Sequence, residues 1–321
     1  MSEHRSVLEA ALRALREDDA ATLAVVVDTE GSTYARAGAL ALFGAGSGQA
    51  GWLSGGCLEP AIERLAAESA ADGRLRWMEI DTREDEDLLS GSALGCRGRL
   101  RLALLPLRGL PDAQAPLAAW QRGRAPLALS LGGDGAVAFS AGGERRDWRL
   151  PTEVAEWATA GGAWTLRIEA PPEILVLGAG PETPLLLPLL RQTGWRTTLA
   201  ERRERWRAQA RFADRHLDAG PAAALGMEAA FDAVLVMHHN FELDREALDA
   251  LAGSAIAFVG LLGPARRRED LFRVLPAACR EALSTRLRSP VGLRLGGQGP
   301  QAIALSIAAQ LQAWRHGDGG G

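Results

Sequence analysis

Cys57, Cys96 and Cys279 are the residues of this chain best suited to nucleophilic attack or soft metal ligation. Their odd number and wide spacing argue against a disulfide framework or a C-x-x-C metal site, and fit a reducing cytoplasm. Cys57 stands out by its surroundings. Ser54-Gly55-Gly56-Cys57-Leu58-Glu59-Pro60 runs into AIERLAAE, a good helix former with a proline suited to the first turn. The pattern predicts Cys57 just ahead of a helix N-terminus. Two glycines let amide hydrogens converge there and the helix dipole adds partial positive charge, so the turn favours an anion such as a phosphate. A thiol in that field is a usable nucleophile or soft metal ligand. The same residues equally describe a small side chain plugging a tight turn. Cys96, in Leu94-Gly95-Cys96-Arg97-Gly98-Arg99, carries the same two readings, whereas Cys279 in the helical LPAACREAL run reads as core.

A second group of residues suits nucleotide chemistry. Leu175-Val176-Leu177-Gly178-Ala179-Gly180-Pro181-Glu182-Thr183 is a strand running into G-x-G-x-x-T. Gly178 would make the tight turn, Gly180 would let a pyrophosphate approach, and Glu201 is placed to bind a ribose hydroxyl. Against this, Pro181 removes an amide donor, Glu182 adds negative charge, and Thr183 before Pro184 makes a structural N-cap. Arg202 and Arg203 could receive a 2'-phosphate. Further along, His238-His239-Asn240 and Gly260-Leu261-Leu262-Gly263 follow apolar strands, where ligands gather in an open parallel sheet. The adjacent histidines point apart and make no two-histidine clamp. Arg266, Arg267 and Arg268 form either a solvated helix face or an anion-facing cluster. Upstream, Glu30 to Gly38 reads as a loop able to hold a polar ligand through Ser32 and Arg36, or as a plain surface turn.

The elements that must position these groups follow from patterning. The 321 residues suggest two domains. Leu8, Leu12 and Leu15 mark an amphipathic first helix rather than a signal peptide. Leu23 to Val27, Arg99 to Leu105, Pro126 to Leu131 and Ala136 to Ser140 read as strands, the last two joined by the turn Gly132-Gly133-Asp134-Gly135. The acid-rich stretch Glu79 to Asp87 reads as a solvated loop. After Pro171-Pro172, short apolar strands at Ile174 to Leu177, Thr197 to Ala200, Ala233 to Met237 and Ile256 to Val259 alternate with helices. The fold class expected is α/β: a mixed α/β N-terminal domain over 1–170 and a Rossmann-like doubly wound parallel sheet over 171–321.

Composition excludes several functions. Hydrophobic residues make up 47% and charged residues 24%, an ordinary globular balance, and a net charge of -4 offers no basic excess for nucleic acid. All 36 basic residues are arginine. Without lysine there is no Walker A loop, no Schiff base and no Ser-Lys dyad. No run of 18 apolar residues exists to span a membrane.

Taken in order, GSTY with a following arginine and glycine, SGGCLE, GC-x-G-R, GAG, M-x-H-N, GLLG-x-x-RRR and P-x-GL resemble the XdhC/CoxI family of accessory proteins for molybdenum hydroxylases. The resemblance covers nearly the whole chain. It implies a cofactor chaperone rather than a turnover enzyme, one that binds molybdenum cofactor (molybdopterin or its dinucleotide form) and helps insert it into a xanthine dehydrogenase-type client. It also implies cooperation with a cysteine desulfurase that sulfurates the cofactor. Transferred to this chain, the family's motifs fall on Gly55, Gly56, Cys57, Glu59 and Cys96; an amide nest at Ser54 to Cys57 beside a soft, activated sulfur makes Cys57 the expected molybdenum ligand or sulfur relay. His239, Asn240, Gly260, Gly263 and Arg266 to Arg268 are the matching residues of the second half, beside the cofactor-binding candidates Gly178, Gly180 and Glu201 of the dinucleotide fingerprint. The rival reading is an NAD(P)-dependent oxidoreductase with His239 as proton donor; a third is a nucleotide-sensing module without chemistry. Oligomeric state, homodimer included, is left open.

Overall fold

Along Ala21–Gly31 (β1), successive side chains enter two different apolar layers, and that alternation organises the first half of the chain. The structure, a computed structural model, describes residues 3–82, 97–153, 155, 157–158, 162–226 and 230–317. Cys96 and most of the acid-rich stretch lie outside them. The chain divides into two compact units, Met1–Pro171 and Pro172–Gly321.

In the first unit β1 is the central strand of an antiparallel sheet, with Leu40–Gly44 (β2) and Gly48–Ala50 (β3) on one side. Arg76–Asp81 (β4) and Gly98–Pro106 (β5) lie on the other, in the order β3-β2-β1-β5-β4. Ala24 and Val26 of β1, with Leu100, Leu102 and Leu104 of β5, face the helix Glu59–Asp72 through its Ile62 and Ala66. Leu23, Val25 and Val27 point the other way, into a core shared with the helix Glu3–Glu17 through Val7, Leu8 and Leu12. The same core takes Leu127, Leu129, Leu131 and Phe139 from a second antiparallel sheet. Its strands are Leu127–Gly132 (β6), Ala136–Ala141 (β7), Glu144–Arg149 (β8) and Ala163–Ile168 (β9), ordered β8-β7-β6-β9. The β6-β7 turn closes where expected, Gly135 N–H donating to the Gly132 carbonyl at 3.0 Å.

One expectation for this unit is corrected. Glu79, Ile80 and Asp81 belong to β4, and Glu79 accepts from Arg101 Nε at 2.6 Å, so cross-strand charge pairing replaces the solvated loop.

The second unit is a six-stranded sheet in which every neighbouring pair is parallel. Glu173–Leu177 (β10), Arg196–Ala200 (β11), Arg215–Leu217 (β12), Ala233–Val236 (β13), Phe258–Leu261 (β14) and Leu287–Arg288 (β15) run in the order β12-β11-β10-β13-β14-β15. That is the doubly wound Rossmann order. Ile174 and Val176 face the helices Thr183–Gln192 and Gly299–Arg315, while Leu175 and Leu177 face Phe241–Ala252 and Ala277–Leu283. Strands covered on both faces must be apolar throughout, which is why they stand out as uninterrupted hydrophobic runs.

β14 starts two residues later than expected, because the Ile256 carbonyl is taken by Arg286 Nη1 at 2.9 Å and not by a neighbouring strand. Gly260 therefore sits inside β14 rather than in a loop beyond it. A Cβ there would lie 2.6 Å from Leu235 Cδ2 and Val291 Cγ2, so packing explains this glycine.

Candidate functional site

The turn Ser54–Leu58 is built around one buried carboxylate. Glu59, first residue of the helix Glu59–Asp72 and 4% exposed, folds back so that its Oε1 accepts from Ser54 N at 2.8 Å and Leu53 N at 3.1 Å. Its Oε2 accepts from the Ser54 hydroxyl. Ser54 Oγ in turn accepts from Gly56 N and Leu58 N, each at 3.1 Å, and the Cys57 thiol lies 3.7 Å away. Gly56 has φ +103, a left-handed conformation that suits glycine. Burial alone would raise the Glu59 carboxyl, but the bonds from the Ser54 hydroxyl and the amides outweigh it and hold it below the ordinary carboxylate range.

This corrects the expected anion nest. The amides of Gly56 and Leu58 are directed onto Ser54, and the helix start already carries the Glu59 carboxylate, so the turn does not hold these amides out to a phosphate. What it presents outward is the exposed Cys57 thiol. Cys57 lines a hollow of about 50 Å³ together with Ser54, Gly55, Tyr34, Thr82 and Gly98 over an apolar floor that includes Ile80 and Leu100. Three stretches far apart in sequence, the GSTY loop, the SGGCLE turn and the start of β5, thus meet at one thiol. Glu59 stands behind that surface, and Gly56 is exposed beside the hollow without lining it. Arg36 is exposed and does not line the hollow. Cys279 is half-buried, its thiol 3.3 Å from Asp249 Oδ1, which pushes the thiol up from its ordinary value. Among the described residues no three His, Cys, Asp or Glu side chains cluster as metal ligands.

In the second unit the dinucleotide fingerprint is occupied by its own side chains. Glu201, 2% exposed, accepts from Ala179 N at 2.8 Å and from Arg203 Nη2 at 2.6 Å, while Thr183 Oγ1 accepts from Gly180 N at 2.9 Å. Arg203 also donates to the carbonyls of His238 and Ala179 at 2.8 and 3.2 Å. Burial raises the Glu201 carboxyl, and the bonds from the Arg203 guanidinium and from the Arg203 and Ala179 amides together more than reverse this. The N-cap of the helix is Glu182 rather than Thr183, whose hydroxyl faces back into the loop. His239, at φ +53, donates from Nε2 to the buried Glu182 carboxylate at 3.0 Å, and a Cβ on Gly180 would sit 2.5 Å from that nitrogen. The imidazole therefore covers the face of Gly180 that a pyrophosphate would approach. His238 is clamped through Nδ1 by Asp244 at 3.1 Å, and Asp244, 1% exposed, also accepts from Arg267 Nη2 at 2.5 Å.

The remaining predicted residues serve this scaffold. Asn240 caps the helix Phe241–Ala252, accepting from Leu243 N at 3.1 Å. At Gly263 a Cβ would meet Arg267 Cδ at 2.6 Å, so the glycine leaves room for the arginine that reaches Asp244. Arg266 points to solvent. Sequence reasoning missed Tyr34, Thr82, Gly98, Arg203's structural part and Asp244. Asp244 carried a usable signal: it lies one helical turn after Asn240, within reach of the strand end just before it.

Two family models match the chain, one described as the XdhC Rossmann domain over residues 174–311 and one as the XdhC and CoxI family over residues 14–81. A Bacillus subtilis protein described as a probable subunit of xanthine dehydrogenase is 27% identical, the match covering 94% of this chain and 95% of that one. A molybdenum cofactor insertion chaperone of Escherichia coli, PaoD, is 24% identical over 98% of this chain and 89% of its own. Among solved structures, a Bacillus halodurans protein described as a xanthine dehydrogenase superposes with a TM-score of 0.75 at 26% identity, covering 95% of this chain and 94% of that one.

Three outcomes follow for these sites. Ser54→Ala leaves the Gly56 and Leu58 amides without an acceptor and should cost about 1–3 kcal/mol in urea unfolding. Because Glu59, Glu182 and Glu201 are all held below the ordinary carboxylate range, the stability they contribute is complete above about pH 5 and is lost as the pH falls through their lowered values. Glu201→Gln should therefore flatten the acid limb of the stability curve. Calorimetric titration with NAD or NADP should find no binding tighter than about 1 mM, since the groups that would hold a dinucleotide are taken; micromolar binding would contradict the geometry.

Proposed function

Since the chain belongs to the XdhC and CoxI family, we propose that it binds molybdenum cofactor as cargo, and assists its sulfuration and insertion into a xanthine dehydrogenase-type molybdenum hydroxylase. The observation that carries this reading is the convergence of the GSTY loop, the SGGCLE turn and the start of β5 on an exposed thiol. A thiolate is a soft ligand suited to a soft metal-sulfur centre. One thiol is enough here, because such cargo arrives with its metal already chelated by its own dithiolene. Cys57 would hold the metal end or relay sulfur from a cysteine desulfurase, and Cys96 is the second sulfur proposed for that relay.

The names of the relatives support the same reading: one is called a cofactor insertion chaperone and another a probable part of xanthine dehydrogenase. The oxidoreductase reading, with NAD(P) on the second unit and His239 as proton donor, has the occupied fingerprint against it. His239 is engaged with Glu182, and the ribose-binding acid is engaged with Arg203. No helix among the described residues is long and apolar enough to cross a membrane. A reducing cytoplasm is the compartment this chemistry suits.

The test is cofactor retention. Cys57→Ala, purified from molybdate-supplied cells, should keep its fold by circular dichroism and lose most of its bound pterin and molybdenum. It should also fail to restore activity to the client hydroxylase. Equal cofactor content and equal client maturation in the variant and the parent protein would remove Cys57 from the mechanism.

A further inference from the structure

The hollow beside Cys57 is too small for a whole pterin. On the scale where one water needs about 10–15 Å³, its roughly 50 Å³ holds about four waters. A cargo whose metal-bearing end entered it would leave its flat ring system at the rim. Among the described residues that line the hollow, one carries a large planar group. Tyr34, the only tyrosine in the chain, lines the hollow and is nevertheless 60% exposed.

The loop that carries Tyr34 is anchored on both sides. Ser32 N–H donates to the Arg97 carbonyl at 3.1 Å, the Thr33 hydroxyl donates to the Ala35 carbonyl at 2.7 Å, and Ala35 itself is buried. A tyrosine on an anchored backbone has only its two side-chain torsions to lose on binding, which keeps the entropic cost of stacking low. Ser32 and Thr33 line the hollow next to the ring, so hydroxyls adjoin the place where the polar edge of a stacked heterocycle would lie.

We propose that Tyr34 is the stacking platform for the planar ring of a pterin whose metal end enters the hollow at Cys57. This rests on the cofactor-handling reading above and adds to it the residue that recognises the organic half of the cargo. Recognition is thereby divided between a soft sulfur for the metal and an aromatic face for the ring.

A metal-free pterin isolates the second contribution. Full-length protein, Tyr34→Phe and Tyr34→Ala are titrated with biopterin, read by quenching of pterin fluorescence, after circular dichroism establishes that the variants are folded. Base-on-aromatic stacking worth about 1–3 kcal/mol predicts that Tyr34→Ala weakens binding by about tenfold, and that Tyr34→Phe stays within about threefold of the parent. Biopterin binding unaltered by Tyr34→Ala overturns the proposal, as does a parent protein that retains loaded molybdenum cofactor but binds no biopterin. The earlier reading fails separately, by a parent protein that carries no molybdenum cofactor when purified from molybdate-supplied cells.

Discussion

A glutamate carboxylate turned back onto a glycine turn is the constraint on which both halves of this protein depend. In the first unit Glu59 receives the amides of Leu53 and Ser54 and the Ser54 hydroxyl, and Ser54 Oγ collects the amides of Gly56 and Leu58. In the second, Glu201 receives the Ala179 amide and Thr183 Oγ1 receives that of Gly180. Each unit pairs one carboxylate with one hydroxyl to satisfy a tight turn from within. A buried carboxylate costs several kcal/mol unless its lone pairs are filled, so these turns hold one arrangement and resist others.

The chemical character of each site follows. A glycine turn with free amides at a helix start recognises anions through the sum of its dipoles. Here the amides named above are spent and the helix start carries a negative charge, which removes much of the attraction for phosphate. What remains outward is specific to the side chain left there: a thiol at Cys57, and an imidazole at His239 held in a left-handed conformation over Gly180. For His239 that backbone costs on the order of 1 kcal/mol, which the bond to buried Glu182 helps to offset.

Much of the fold was legible because burial writes itself into sequence. The parallel strands are apolar runs, and so is Leu23 to Val27 of β1, whose side chains enter two cores. β4 and β8 were not legible, since their charges hide the strand pattern: in RWMEID Glu79 pairs across the sheet with Arg101, and in ERRDWR Arg145 and Arg146 pair with Asp147 and Glu144 along the same strand. At the sites, residue identity was informative and direction was not. Glu59 and Glu201 stand where a ligand-binding acid would stand, yet both point inward, and only the partner across the turn or strand decides that. Gly260 was misread for a related reason. A glycine near a strand end suggests a phosphate loop, whereas Leu235 and Val291 from neighbouring segments demand the same residue for packing.

A protein proposed to hand on its cargo has to grip it without trapping it, and on that proposal one exposed thiol beside one exposed aromatic ring would do both. Three or four protein ligands around a metal give sites whose release is slow and whose affinity is folding free energy. A single thiol on a rigid turn gives one bond, and aromatic contact at a rim gives a second, weaker attachment that peels off independently. Each attachment alone is modest, and their product sets retention through effective concentration. An acceptor that presents more ligands can therefore take the cargo stepwise, sulfur first or ring first, with no unfolding of the donor. The inward-turned Glu59 keeps fixed the turn that carries the thiol outward, so such an exchange would leave the turn as it is.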